Sequence, residues 1–205
     1  MTRIIGGAAG GRRLQTQRGM QTRPTSDRVR EALFSSIESW CGSLDGLRFL
    51  DLYAGSGAVG LEAWSRGAGV VTLVEQNKRA SALIRDNAKK IGFGGPDVVA
   101  ASVATTLRLP PAAPYDVAYL DPPYPLGAAE VDADLHALEE FDWLVPGAMV
   151  VVERSSRSDP PDYPEGFTDL RERRYGETTL WYGHAAPSAT SPSTGPAPSP
   201  DQEDH

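Results

Sequence analysis

Apolar and polar residues alternate along the chain with two different periods. Predominantly apolar runs of strand length occur at 47–52, 70–74, 98–101, 116–120 and 148–153. Such runs are typical of strands that are buried on both faces, as in a parallel sheet. The stretches between most of them repeat apolar residues every three or four positions, which is typical of amphipathic helices. The alternation predicts an α/β fold with a mostly parallel sheet.

The predicted helices have recognisable ends. Thr25 or Ser26 is expected to cap a helix that stops near Cys41, with Arg28 and Arg30 outside its apolar face. Further helices are predicted at 58–64, 77–91 and 128–140. Asparagine and glycine stand at the two ends of the 77–91 segment, as expected for its caps.

Two segments depart from the alternation of strands and helices. Residues 3–5 and 12–16 flank a glycine-rich turn and predict an N-terminal β-hairpin. Residues 167–175 and 178–182 predict an antiparallel hairpin near the other end. With this second hairpin, the sheet is expected to have seven strands.

Composition divides the chain into three parts, which we predict to be an arginine-rich arm at 1–23, a body at 24–184 and a disordered Pro/Ser-rich acidic tail at 185–205. Residues 1–30 contain seven arginines and one acidic residue, whereas the whole chain has a net charge of −7. An arginine-rich end on an acidic body indicates that this end meets a polyanion, although a basic terminus without a partner has the same composition.

A glycine-rich turn follows the first apolar run. Gly55, Gly57 and Gly60 have the spacing GxGxxG and lead into a helix, an arrangement whose backbone N–H groups cradle a nucleotide-like ligand. Glu75 ends the next run and would accept the ribose hydroxyls of either a dinucleotide or S-adenosylmethionine. Asp51 favours S-adenosylmethionine, because its carboxylate would attract the methionine ammonium and repel a pyrophosphate.

Asp121-Pro122-Pro123-Tyr124 follows the fourth apolar run, where we place catalysis. The carboxyl ends of parallel strands meet at one edge of a sheet, so Asp121 is expected to share a crevice with the glycine turn. The Asp121 carboxylate and the Pro122 carbonyl would each accept one N–H of an exocyclic base amine. Pro123 stiffens the loop and Tyr124 offers a ring for stacking. A rigid turn without chemistry is the competing interpretation, which the upstream glycine turn weakens.

Several classes of protein are excluded by composition. No apolar run reaches the ~18 residues of a membrane span, and no apolar signal segment opens the sequence, so we expect a soluble cytoplasmic protein. Cys41 is the single cysteine, which excludes an internal disulfide and a cysteine-rich zinc site. The three histidines lack metal-ligand spacing, so we expect no metal, and a monomer is the expected state.

Three motifs together carry a family resemblance. They are Arg-Pro-Thr-Ser-Asp-Arg-Val-Arg-Glu-Ala-Leu-Phe at 23–34, Leu-Asp-Leu-Tyr-Ala-Gly-Ser-Gly-Ala-Val-Gly-Leu-Glu-Ala at 50–63, and Asp-Pro-Pro-Tyr at 121–124. From Arg3 to about Gly183 the chain resembles the bacterial 16S rRNA guanine-N2 methyltransferases of the RsmD type. The resemblance implies a Rossmann-like class I methyltransferase fold that uses S-adenosylmethionine to methylate guanine 966 of 16S rRNA, in a partly or fully assembled small ribosomal subunit.

The resemblance also implies roles for individual residues. The segment from Arg23 to Arg28 would close over the cofactor, and the N-terminal hairpin would touch RNA. The expected cofactor contacts are Arg23, Thr25, Asp51, Tyr53, Ala54, Gly55, Ser56, Gly57, Glu75 and Gln76, with Ser102 and Val103 at the adenine end, where the family commonly has an acidic residue. The expected RNA contacts are Arg3, Arg12, Arg13, Arg18, Arg28 and Arg30.

Two other functions stay open at this point. A DNA or protein amino-methyltransferase would use the same Asp-Pro-Pro-Tyr segment, although a DNA enzyme normally needs a recognition domain for which 205 residues leave little room. A noncatalytic RNA-binding assembly factor would keep the glycine turn, but it would have no need of Asp121 and Tyr124. A methyl-transfer assay separates these functions.

Overall fold

The computed structural model describes residues 2–16, 26–123 and 126–186. In chain order the elements are β1 (Thr2–Arg3), β2 (Arg13–Leu14), α1 (Asp27–Cys41), β3 (Arg48–Leu52), α2 (Ala58–Ser65), β4 (Val70–Val74), α3 (Lys78–Ile91), β5 (Asp97–Val99), α4 (Val103–Leu107), β6 (Tyr115–Leu120), α5 (Ala128–Glu140), β7 (Leu144–Ser155), β8 (Thr168–Tyr175) and β9 (Thr178–His184). Among these described residues, no helix is long and apolar enough to cross a bilayer.

Strands β3 to β9 form one seven-stranded sheet in the order β5-β4-β3-β6-β7-β9-β8. The first five of these strands are parallel, and β9 runs antiparallel to both β7 and β8. The predicted mostly parallel sheet with a C-terminal antiparallel hairpin is therefore confirmed. The chain order reverses between β3 and β6, and in such sheets ligands bind beyond the carboxyl ends of the strands at this point.

The helix ends follow the capping residues. Ser26 Oγ accepts the Val29 N–H at 3.2 Å, so Ser26 is the cap of α1. Asn77 Oδ1 accepts two N–H groups in the first turn of α3, at 2.9 and 3.2 Å. Gly92 ends the same helix with a φ of 88°, a conformation that glycine adopts without steric cost. These ends confirm the expected caps.

Each face of the sheet has its own apolar core. Side chains from α1, α2 and α3 pack on one face and include Leu33, Ile37, Ala63 and Ile84. Side chains from α4 and α5 pack on the other face and include Leu107, Val131 and Leu135. Because consecutive strand residues alternate between these two cores, the strands are apolar along most of their length.

The N-terminal hairpin packs closely against α2. The Glu62 carboxylate accepts the N–H groups of Ile5 at 2.7 Å and Gly6 at 2.8 Å. Gly7 has a φ of 72°, and a Cβ there would lie 1.7 Å from the Ser65 carbonyl oxygen, so only glycine allows this approach. A third apolar cluster joins the hairpin to α2 and α3 and contains Ile4, Ala9, Leu14, Leu61, Ala88 and Ile91. The predicted hairpin is confirmed, and it is packed onto the body.

Three local features differ from the prediction. Helix α4 is absent from the prediction, because five residues are too few for a helical repeat to be recognised. Strand β7 begins at Leu144 rather than at Ala148. Ala185, assigned from composition to the tail, is buried and donates its N–H to the Ala148 carbonyl at 2.9 Å. The rest of the predicted tail, from 187, lies outside the described residues.

Candidate active site

The carboxyl ends of the central strands lie level with one another. Leu52, at the end of β3, is paired in register with Val74 of β4 and with Leu120 of β6. The residues that follow these three positions are Tyr53, Glu75 and Asp121. The prediction that the glycine turn, Glu75 and Asp121 meet at one edge of the sheet therefore matches the strand register.

The glycine turn is held on both sides. Ala54 donates its N–H to the Val74 carbonyl at 3.0 Å, and Gly57 donates to the Ala54 carbonyl at 2.7 Å. A Cβ on Gly60 would lie 2.7 Å from a Leu73 methyl carbon, so this glycine allows α2 to pack closely on β4. A Cβ on Gly55 would meet only one atom, at 3.9 Å. The turn is thus open in front of Gly55 and packed behind Gly60, as a ligand cradle requires.

Asp51 is buried beside the glycine turn. It is 1% exposed, and Oδ2 accepts the Gly60 N–H at 2.8 Å. Burial raises the pKa of Asp51 to about 7; the Gly60 N–H opposes this shift and the charge of Glu75 adds to it. Asp51 thus holds the start of α2 against the end of β3, and its direct contact with the methionine ammonium stays a prediction.

Glu75 links the two loops on which a nucleoside would lie. One carboxylate oxygen accepts the Gly55 N–H at 2.9 Å, and the other accepts the Asn77 N–H at 2.7 Å. Each oxygen keeps a second acceptor position, so both are able to accept ribose hydroxyls. Gln76 is exposed beside it. The predicted role of Glu75 is compatible with this geometry.

The Tyr53 side chain reaches helix α5. Its φ of 63° is uncommon for a residue with a Cβ. The hydroxyl donates a hydrogen bond to the Asp134 carboxylate of α5. Burial and this bond raise the pKa of Tyr53, so the phenol stays protonated. The hydroxyl thus joins the glycine turn to the helix that follows Asp-Pro-Pro-Tyr, and the contact of Tyr53 with the cofactor stays a prediction.

Asp121 stands directly after β6 and beside β3. Its N–H donates to the Leu52 carbonyl at 3.3 Å, which fixes the start of the loop next to the glycine turn. Pro122 is buried, and the Pro123 carbonyl accepts the Leu126 N–H at 2.8 Å. The fourth residue of the motif, Tyr124, lies outside the described residues. The first three residues of the motif thus form a supported turn at the predicted place.

A half-buried arginine supports the far side of this loop. Arg154 Nη2 donates to the Leu126 carbonyl at 3.3 Å, and Nη1 is a buried atom with no hydrogen-bond partner among the described residues. The apolar run of the fifth predicted strand ends at residue 153, whereas β7 extends through Arg154.

At the adenine end, Ser102 caps α4. Its Oγ accepts the Thr105 N–H at 3.1 Å and donates to the Thr105 hydroxyl at 2.7 Å. Val103 is the first residue of α4, and its side chain is buried. The Val103 N–H lies at a helix start, where backbone donors lack helical partners. The use of Ser102 and Val103 for adenine stays a prediction.

The predicted RNA contacts divide by exposure. The predicted RNA contact of Arg30 is wrong, because its side chain is 0% exposed. Arg30 donates to the Arg3 carbonyl at 2.7 Å and to the Asp27 carboxylate at 2.8 Å. Arg3 is exposed but pairs with Asp27 at 3.3 Å. Arg12 Nη1 donates to the Ile91 carbonyl at 2.7 Å. Arg13 and Arg28 are exposed. The remaining predicted contacts, Arg18 to RNA and Arg23 and Thr25 to the cofactor, lie outside the described residues.

Sequence reasoning missed a buried asparagine that joins the hairpin to the glycine turn. Asn87 of α3 exchanges two hydrogen bonds with the backbone of Gln15, at 2.8 and 3.0 Å. Its amide also donates to the Ser56 carbonyl at 3.1 Å. A polar residue on the apolar face of a predicted helix, between Ile84 and Ala88, was the available signal. Asn87 positions the glycine turn relative to the hairpin.

The fold and the site define an α/β methyltransferase. A solved methyltransferase structure from Escherichia coli superposes with a TM-score of 0.79 at 30% identity, over 90% of this chain and 98% of that one. A Thermus thermophilus protein of known structure does so with a TM-score of 0.73 at 31% identity, over 89% and 98%. The model of the family described as conserved hypothetical protein 95 matches residues 2–184, and the chain belongs to this family.

Relatives with a named activity support the resemblance inferred from the three motifs. The ribosomal RNA small subunit methyltransferase D of Escherichia coli K12 is 35% identical over 176 residues, which cover 85% of each chain. The Haemophilus influenzae protein of the same name is 36% identical over 177 residues, which cover 85% of this chain and 89% of the relative. The predicted family is therefore confirmed.

Proposed function

We propose that the protein transfers the methyl group of S-adenosylmethionine to the exocyclic N2 amine of a guanine in 16S rRNA, which the family resemblance assigns to guanine 966. The Asp121 N–H bond to the Leu52 carbonyl carries this proposal, because it fixes a carboxylate-bearing loop beside the glycine turn. The relatives named as small-subunit rRNA methyltransferases support 16S rRNA, in a partly or fully assembled small subunit, as the substrate.

The residues around the turn fit the cofactor. Gly55 leaves open space for a nucleoside, and Glu75 offers acceptors for its ribose hydroxyls. Glu75, which accepts the Gly55 N–H, gives the turn an electronegative carboxylate, which suits the positive charges of S-adenosylmethionine and disfavours a pyrophosphate. S-adenosylmethionine supplies an electrophilic methyl group, which passes to the amine nitrogen while the C–S electron pair returns to sulfur.

The Asp121 loop prepares the amine for this transfer. The lone pair of a guanine amine is delocalised into the ring, so the nitrogen is a weak nucleophile. Hydrogen bonds from its two N–H groups to the Asp121 carboxylate and the Pro122 carbonyl draw it toward a tetrahedral shape. Asp121 also stabilises the positive charge that develops on the nitrogen and takes the proton that the nitrogen loses. Tyr124 holds the base by stacking.

Product analysis tests this proposal. Small subunits from cells that lack the protein should accept a tritiated methyl group from S-adenosylmethionine when the purified protein is added. After digestion, the label should be found in N2-methylguanosine. Subunits from cells that contain the protein are the control and should accept little label, because their site is already modified. Label in another nucleoside, or none in RNA, would contradict the proposed substrate.

A further inference from the structure

Strand β8 lies at one edge of the seven-stranded sheet and is rich in arginine. Its eight residues include Arg171, Arg173 and Arg174 beside the acidic Asp169 and Glu172, and all three arginine side chains are exposed. The strand pairs with β9 along one side, and β9 is its single neighbour in the sheet order. This is a dense group of guanidiniums in a chain whose net charge is −7.

The arginines of β8 point to two different faces. Arg171 lies opposite Tyr182, and its guanidinium is 5.1 Å from the centre of that ring. Arg173 lies opposite Leu180, which belongs to the same core as Tyr182, on the side covered by α1. Arg174 lies opposite Thr179 on the other face, 3.5 Å from the Glu172 carboxylate. We call Arg171 and Arg173 the β8 arginine pair.

The β8 arginine pair has no acidic partner in the described part of the chain: neither guanidinium lies within 4.0 Å of a carboxylate oxygen there. Arg171 is stacked on Tyr182, whose hydroxyl is in turn 3.3 Å from Ser36 Oγ of α1. Stacking on an aromatic ring holds a guanidinium in place and leaves its N–H donors free for a ligand. Stacking therefore holds Arg171 in place, and both guanidiniums of the pair lack a carboxylate partner among the described residues.

The pair also lies level with the catalytic loop. Leu120 pairs with Val152, Val152 with Trp181 and Trp181 with Glu172, so Glu172 is at the height of the last residue of β6. Arg173, one residue further along the parallel direction, is at the height of Asp121. Three strand spacings separate β6 from β8, a distance of about 14 Å across the sheet. Nucleotides next to a base held at Asp121 would lie within this range.

We propose that the β8 arginine pair binds the phosphate backbone of the RNA beside the target guanine; this inference rests on the proposed function. Guanidiniums form paired hydrogen bonds with phosphate oxygens, and arginine is the residue favoured for phosphate contacts. Charged side chains on an outer strand also prevent edge-to-edge pairing, but that role needs charge of either sign and does not depend on the face. The two roles therefore predict different results for substitution.

The experiment compares the two faces of β8. Affinity for small ribosomal subunits that lack the modification is measured over a range of salt concentrations, with initial methylation rates measured in parallel. The variants are Arg171→Gln/Arg173→Gln, the charge-preserving Arg171→Lys/Arg173→Lys, and Arg174→Gln as the matched control from the opposite face. Thermal unfolding and S-adenosylmethionine affinity verify that each variant keeps its fold and cofactor site.

The Gln double variant should lower the slope of log affinity against log salt by about 1.4, at ~0.7 per lost phosphate contact. It should raise KM for RNA and leave kcat and cofactor affinity unchanged. The Lys double variant should keep most of the slope, and Arg174→Gln should keep nearly all of it.

An unchanged slope in the Gln double variant, or an equal loss in Arg174→Gln, would overturn this inference alone. A wild-type protein that neither bound nor methylated the RNA would overturn the proposed function itself.

Discussion

The N-terminal hairpin and strand β8 are both rich in arginine, yet they use it in opposite ways. The hairpin is packed on α2 and α3 through Glu62 and a cluster of apolar side chains. Arg12 is bonded to the end of α3, and Arg3 is paired with Asp27. Strand β8 lies at the edge of the sheet. Arg171 stacks on Tyr182, and neither arginine of the pair lies within 4.0 Å of a carboxylate oxygen of the described residues.

This difference shows that local charge density does not identify which guanidiniums are available to a ligand. Composition predicts a polyanion contact for the first thirty residues, with their seven arginines. The structure assigns part of that charge to intramolecular bonds and buries Arg30 altogether, while Arg13 stays exposed. A guanidinium already bound to a carboxylate or carbonyl gains less from a phosphate, because it must give up that partner.

The substitution with the largest expected effect on this contrast is Glu62→Ala. Its buried carboxylate accepts two hairpin N–H groups and the Arg66 guanidinium, at 2.7 to 2.8 Å. Glu62→Ala leaves all three donors without this partner, so we expect the free energy of unfolding to fall by ~3–5 kcal/mol. Urea denaturation measures the change.

The matched control for Glu62 is a glutamate of β8. Glu172 is exposed and paired with Arg174 at 3.5 Å, so Glu172→Ala should change the free energy of unfolding by less than ~1 kcal/mol. Equal destabilisation by the two variants would contradict the view that the hairpin is part of the packed body and β8 is an exposed edge.

A smaller effect separates the two kinds of arginine. Arg12→Gln removes a charged donor from the Ile91 carbonyl at the end of α3, which should lower the free energy of unfolding by ~1 kcal/mol. Arg171→Gln should cost less in stability, ~0.5 kcal/mol for an exposed cation–π contact, but should lower the RNA salt slope by ~0.7. Denaturation and salt-dependent RNA binding, run on both variants, check this crossed pattern. A salt slope reduced equally by both would contradict it.

The fold was predictable where segments were long and strongly patterned. The strands at 47–52, 70–74 and 116–120 agree with β3, β4 and β6 within one residue, because predominantly apolar runs indicate buried parallel strands. Helix α4 escaped prediction, since its five residues show no repeat. The burial of Arg30 escaped because helical spacing shows which residues share a face, but not which backbone carbonyl of another segment will accept a bond.

The site was predictable as a set of motifs and less so as a set of contacts. The order of the glycine turn, Glu75 and Asp121 was enough to bring them to one edge of the sheet. The roles of Asp51 and Ser102 were not, because each side chain satisfies a nearby backbone N–H that only the folded chain supplies. Asn87 connects segments 72 residues apart in sequence, a relation that no local pattern contains.

The central claim is that the Asp121 carboxylate accepts a hydrogen bond from the target amine beside the glycine turn. A single-turnover measurement tests this claim most directly. Asp116, near the other end of β6, accepts the Arg48 N–H at 2.8 Å and provides the matched control. Asp121→Ala should lower the methyl-transfer rate by ~100-fold or more while S-adenosylmethionine affinity stays nearly unchanged, as for loss of a preorganised charge-stabilising group. Asp116→Ala should transfer the methyl group at nearly the wild-type rate. An Asp121→Ala protein that turned over like the wild type would contradict the account.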